Sequence, residues 1–274
     1  MRVSNANEKM IVKKYPKTHK LIFDMLDLSL QLHHVHVIAQ VDVDLVLRLL
    51  EQYKETHGEK LSFTGYLIFV ISRAIEKYKD AHAIRVGLKR YIFNEVDVHT
   101  IVERETKDGD LIPTSHIIRQ ANRKSLLKIH NEIRNAQEQS IEGLVGRGTR
   151  REKLQKLFSS FPGFLRKRIL KRMLKKPKMM KKNIGTVCVT AVGMLTKDIR
   201  TIGTPIPVQP WPIQFSIGCL DKRLKMVNGK MVERDILNVT ITFDHGVIQG
   251  GAITRFLTEI YNMVESGFGL KQTL

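Results

Sequence analysis

The chain has 274 residues, 42% of them hydrophobic, and its 46 lysines and arginines against 27 acids give a net charge of +19. That apolar content excludes a disordered polar chain, and two cysteines exclude both a disulfide framework and a four-cysteine zinc site. The densest apolar run, Tyr66 to Ile71, is too short to span a membrane, and the N-terminus lacks the apolar core of a signal peptide, so a cytoplasmic protein is expected.

The charge is concentrated in one place. Residues Arg147 to Lys182 hold 15 basic residues and one acid, Glu152, while the rest of the chain holds 31 basic and 26 acidic residues. The sequence therefore describes a near-neutral body carrying a basic insertion at 146–182. Nucleic acid is not expected as a partner, because the insertion lacks aromatics interleaved for base stacking.

In chain order, residues 1–15 read as an N-terminal arm. His34 to Val43 alternates and is rich in β-branched residues, which predicts a strand. Asp44 is placed to cap a helix that ends at Gly58. Ser62 or Thr64 starts a second helix, apolar around most of its surface and so buried. Ile92 to Val102 reads as a strand and residues 107–110 as a turn. Leu126, Leu127, Ile129 and Ile133 have helical spacing.

Within the insertion, Leu154, Leu157, Phe158 and Phe161 form a short apolar stripe that Pro162-Gly163 ends. Beyond it, Leu165, Ile169, Leu170, Met173 and Leu174 share one half of a helical wheel, and Lys167, Arg168, Lys171, Arg172 and Lys175 the other. Such a basic amphipathic helix suits an anionic membrane surface or an acidic partner, or it packs on the protein's own body.

Strands are then predicted from Asn183 to Val192 and from Ile213 to Leu220. Asn228-Gly229 predicts a tight hairpin, and Leu237 to Phe243 alternates cleanly. A glycine-rich turn, DHGVIQGG, leads into a last helix. Helices and strands do not alternate regularly, which points to an α+β fold with a mixed sheet. His34 and His36 have a metal-compatible spacing but no third ligand nearby in sequence, so no metal is expected.

Four segments in order carry a resemblance. VDVDLVLRLLEQYKE with KLSFTGYLIFVISRAIEKY is the first. VDVHTIVERETKDGDLIPTSHIIRQANRKSLLKIHNEI, with its RKSL helix start, is the second. GTVCVTAVGM and LNVTITFDHGVIQGGAITRFL are the third and fourth. Together they resemble the catalytic domain of the 2-oxo acid dehydrogenase dihydrolipoyl acyltransferases, of the chloramphenicol acetyltransferase-like superfamily. The resemblance implies a two-layer α+β sandwich in a single domain, 1–274, with a basic helical insertion. It also implies an acyltransferase that moves an acyl group between coenzyme A and a thiol, hydroxyl or amine acceptor.

By the same resemblance His245 is the general base and Thr190 the stabiliser of the oxyanion. Asp244, Gly246, Gln249, Gly250 and Gly193 occupy supporting motif positions. Arg123 and Lys124 are candidates for the coenzyme A phosphates. The family's active site lies between subunits of a trimer, so a homotrimer is expected, with His245 of one copy facing Thr190 of the next. Acyl-CoA would be a substrate, and neither a lipoyl domain, a subunit-binding domain nor covalently bound lipoate is expected in this chain. Gly246 replaces the motif's arginine and Gln249 its aspartate, which leaves a catalytically impaired oligomeric scaffold as the alternative. Cys188 shares a strand face with Thr190 by alternation and is expected to be an inert buried thiol.

Overall fold

A computed structural model describes residues 13, 15, 19–105, 109, 111–139, 157–158, 160–191 and 205–273. Described in chain order, the elements are α1 (His19–Ser29), β1 (His34–Asp42), α2 (Asp44–His57), α3 (Phe63–Lys77), β2 (Ile84–Val86), β3 (Lys89–Tyr91), β4 (Val98–Glu105) and β5 (Leu111–Ile118). They continue with α4 (Leu126–Glu138), α5 (Gly163–Leu174), α6 (Pro177–Ile184), β6 (Val187–Ala191), β7 (Ile213–Val227), β8 (Lys230–Asp244) and α7 (Gly250–Glu265).

Six strands form one mixed sheet in the order β1-β8-β7-β6-β4-β5, parallel at β4/β6 and β6/β7 and antiparallel elsewhere. The core lies between this sheet and α2, α3, α4 and α7. Ile213, Phe215 and Ile217 of β7 meet Leu67, Ile71 and Phe256 there. The expected α+β, two-layer, mixed-sheet arrangement is the one observed.

Local chemistry explains most boundaries. The Ser62 hydroxyl accepts the Gly65 N–H at 3.0 Å and so starts α3, a cap worth about 1 kcal/mol. Asn228 and Gly229 both have positive φ, as the predicted tight turn requires, and join β7 to β8. Two expectations are corrected. Asp44 is not the cap of α2. Val43 holds that position, and Asp44 sits in the first turn with its carboxylate 3.0 Å from Arg48 and 2.7 Å from Arg234. The strand predicted from Ile92 begins only at Val98, because residues 94–97 are tied sideways to the 119–122 turn: Val96 N–H donates to Asn122 and the Asp97 carboxylate accepts Gln120 N–H. The strand predicted from Asn183 likewise begins at Val187, since α6 runs to Ile184.

Of the expected insertion, helix α5 packs on α1. In α5 the buried residues are Arg166 and Leu170, not the whole apolar half of the wheel, and Phe164 and Ile169 are exposed. Arg166 Nε donates to Asp24 Oδ2 at 2.7 Å and its Nη1 to the Phe161 carbonyl at 2.6 Å. Lys167 reaches Asp27 at 2.5 Å. A charged pair therefore sits at the centre of the α1–α5 contact. Leu154, the turn at 107–110 apart from Gly109, and the arm apart from Lys13 and Tyr15 lie outside the described residues.

Candidate active site

β8 is an inner strand, flanked by β1 and β7, and its C-terminal end places Asp244 in the protein and His245 at its surface. The backbone fixes this end from three sides. Asp244 N–H donates to the Pro212 carbonyl and His245 N–H to the His33 carbonyl, both at 2.8 Å. Val247 N–H returns to the Asp244 carbonyl at 2.8 Å, which closes the turn, while the Val247 and Ile248 side chains are buried and anchor it. The His245 imidazole is left exposed, stacked at 6.5 Å on Phe243. Main-chain geometry thus holds the ring's base, and among the described residues no side chain hydrogen-bonds its nitrogens.

The supporting positions have distinct roles. The Asp244 carboxylate, 3% exposed, accepts the Gly246 N–H at 2.9 Å and lies 3.9 Å from His33 Nδ1. Gln249 is the N-cap residue of α7, exposed, with no capping bond from its side chain. Gly250 has no positive φ and a Cβ there would meet nothing within 4 Å, so the turn does not depend on its being glycine. Gly193 lies outside the described residues.

Thr190, near the end of β6, is buried and lines a cavity of about 370 Å³ with Ser62, Phe63, Thr100 and Ile133. Lys60 and Arg134 stand at the same cavity. Arg123 and Lys124 do not: Arg123 pairs with Glu76 at 3.3 Å and Lys124 with Glu132. The cations beside Thr190 were not legible in the sequence, because Lys60 follows a helix end and Arg134 lies mid-helix, with nothing to distinguish them from solvated charges.

Cys188 is buried and burial pushes its thiol pKa up, as expected of an inert group. His36 Nδ1 is engaged with the Thr242 hydroxyl at 2.8 Å, and among the described residues no three ligating side chains gather as a metal site. No described helix is long and apolar enough to cross a membrane.

Within one chain Thr190 and His245 do not meet. Thr190 lies opposite Ser216, which lies opposite Thr240, and His245 follows Thr240 by five residues. That register separates them by roughly 16 Å along the strands and about 10 Å across them.

Residues 7–147 and 165–269 match the family model "2-oxoacid dehydrogenases acyltransferase (catalytic domain)". The chain belongs to this family. Its unmatched internal stretch is 148–164, so α5 from Leu165 onward and α6 lie in the matched part. The acetyltransferase component of the pyruvate dehydrogenase complex of Mycoplasma genitalium is 25% identical over 79% of this chain and 48% of its own length. The succinyltransferase component of the 2-oxoglutarate dehydrogenase complex of Bartonella vinsonii is 24% identical over 82% and 46%. The chain therefore spans about half the length of the curated relatives it matches.

Among solved structures, a probable dihydrolipoamide acetyltransferase from Listeria monocytogenes has a TM-score of 0.67 at 17% identity, over 95% of this chain and 96% of that one. The dihydrolipoamide acetyltransferase of Azotobacter vinelandii has a TM-score of 0.63 at 17% identity, over 98% of each chain. These likenesses show a shared fold.

Proposed function

We propose that the protein is an acyltransferase that moves an acyl group between coenzyme A and a thiol, hydroxyl or amine acceptor. The observation that carries the reading is the DHGVIQG turn, which holds an exposed imidazole at the end of a core strand in a chain of this family. In the forward step the His245 imidazole takes the proton of the attacking thiol. The sulfur forms a bond to the acyl carbonyl carbon, and the oxygen takes up the negative charge. The Thr190 hydroxyl donates a hydrogen bond to that oxygen. Collapse breaks the bond between the acyl carbon and the donor's sulfur, and the departing thiolate takes from the imidazolium the proton that came from the attacking thiol.

The separation of the two residues in one chain supports an assembly in which His245 of one copy faces Thr190 of another, and we read it as a trimer. Leu224, Met226 and Met231, exposed on the β7–β8 hairpin, offer apolar surface for such contacts. We assign the cavity beside Thr190 to part of acyl-CoA, with Lys60 and Arg134 as the cations for its phosphates. The relatives' names point to a dihydrolipoyl thiol as acceptor, presented from outside these residues.

The departures at 246 and 249 do not favour a scaffold. In the Azotobacter enzyme the residues studied for catalysis are a serine, a histidine and an asparagine four positions after it. Gln249 stands four after His245 and also offers a neutral amide. Arg85 fills the space beside Gly246. We read the protein as cytoplasmic. Helix α5 commits Arg166 and Lys167 to α1, and we read Arg168, Lys171, Arg172 and Lys175 as facing an anionic surface or acidic partner.

The test is release of coenzyme A from acetyl- and succinyl-CoA with and without dihydrolipoamide. Turnover that needs the dithiol is expected. No turnover together with no binding of coenzyme A by calorimetry would overturn the reading in favour of a scaffold.

A further inference from the structure

The backbone does not require glycine at 246. Its φ is not in the left-handed region, so any residue could adopt it. What a side chain there would displace is a neighbour. A Cβ at 246 would lie 2.7 Å from Arg85 Nε and 3.2 Å from its Cζ, so the end of that exposed arginine would have to move aside. The same point lies 3.1 Å from Asp244 Oδ1. The guanidinium of Arg85 thus rests on the turn after His245, next to a buried carboxylate whose only described ion-pair partner is His33. Arg85, Asp244 and Val247 also share the wall of a small cavity of about 70 Å³ beneath the turn.

Arg85 belongs to β2, a three-residue strand paired with β3, where it lies opposite Arg90. Arg90 approaches the Val247 carbonyl at 3.5 Å and pairs with Asp80 at 3.4 Å. Two arginines of one hairpin therefore touch the His245 turn, one at Gly246 and the other at Val247.

We propose that Arg85 is a positioning residue for His245, supplying from β2 the guanidinium that the motif's missing arginine would have supplied from position 246. A buried carboxylate needs a compensating cation or donors. Asp244 uses one oxygen to hold the Gly246 N–H, and Arg85, which makes no ion pair with that carboxylate, packs against the same turn and keeps it closed. Without it the carboxylate reorients toward water, the Gly246 hydrogen bond weakens, and the imidazole loses its fixed base. The inference rests on the acyl-transfer reading only for its kinetic consequence. The contact between Arg85 and the turn stands without it.

The experiment compares the full-length protein with Arg85→Ala, with Arg85→Ala/Gly246→Arg, and with Lys89→Ala as an exposed cation of the same hairpin. Two quantities are read: kcat and KM for acetyl-CoA with dihydrolipoamide, and hydrogen exchange of the backbone amide at 246. Arg85→Ala is expected to lower kcat by roughly 10- to 100-fold with KM within about threefold, as displacement of a catalytic group does, and to speed exchange at 246 by about 10-fold or more. The double variant returns both to within about threefold of the parent, because the new arginine grows into the space that the old one left, and Lys89→Ala changes neither. Exchange at 246 unchanged in Arg85→Ala, or a double variant no better than the single one, would overturn the proposal. A parent without turnover would count against the acyl-transfer reading alone, since exchange at 246 is measured without turnover.

Discussion

His245→Ala is expected to lower kcat by about 10²–10⁴-fold with KM for acyl-CoA little changed, since the base acts on a proton in flight rather than on the bound ground state. The assembly and the fold should persist. The ring is exposed, and the turn is held by the main chain of Asp244, His245 and Val247 and by the buried Val247 and Ile248 side chains, none of which the substitution removes. Steady-state kinetics with size-exclusion chromatography on the same sample is the check. Full activity in a correctly assembled variant would remove His245 from the mechanism.

The second large effect is on stability. Arg166 and Asp24 are both buried, at 7% and 3% exposure, and joined at 2.7 Å. Arg166→Ala would leave the Asp24 carboxylate buried without its partner, and breaking such a pair costs about 3–5 kcal/mol. Asp24→Leu/Arg166→Met, which removes both charges, should recover most of the loss. Urea unfolding measures both. The consequence reaches the site, because Leu28 of the segment that α5 holds and Leu174 of α5 itself line the cavity that Asp244 and Val247 roof. A loss below about 1 kcal/mol for the single variant would mean that water already screens the pair and that apolar packing holds α5.

The sequence showed its elements wherever local chemistry decides them. The Asn228-Gly229 turn, the Ser62 cap, the alternation of Leu237 to Phe243 and the DHGVIQG turn were each legible, since each depends on residues within a few positions. What stayed hidden depends on distance. The β2–β3 hairpin has strands of three residues, too short for a period to register, and Arg85 lies on the first of them. Arg166 pairs with a residue 142 positions away, so the helical wheel could assign it to neither face. Val98 rather than Ile92 begins its strand, because the residues between them bond to the 119–122 turn instead of to a neighbour strand. The candidate residues of the site were legible through the motif, and the resemblance assigned them to different copies, but the physical reason for their separation was not legible. It follows from the sheet order, in which β7 lies between the strands that carry Thr190 and His245.

That separation supplies the most direct test. If each site joins His245 of one copy to Thr190 of another, two disabled variants can repair each other. His245→Ala and Thr190→Ala chains, each nearly inactive alone, are unfolded together in denaturant and refolded as a mixture. About one interface in four then pairs an intact histidine with an intact threonine. Activity of the mixture at about a quarter of the parent's, far above the mean of the two variants refolded separately, is the predicted result. A mixture no more active than that mean, with mixed oligomers verified by mass spectrometry, would contradict the shared site.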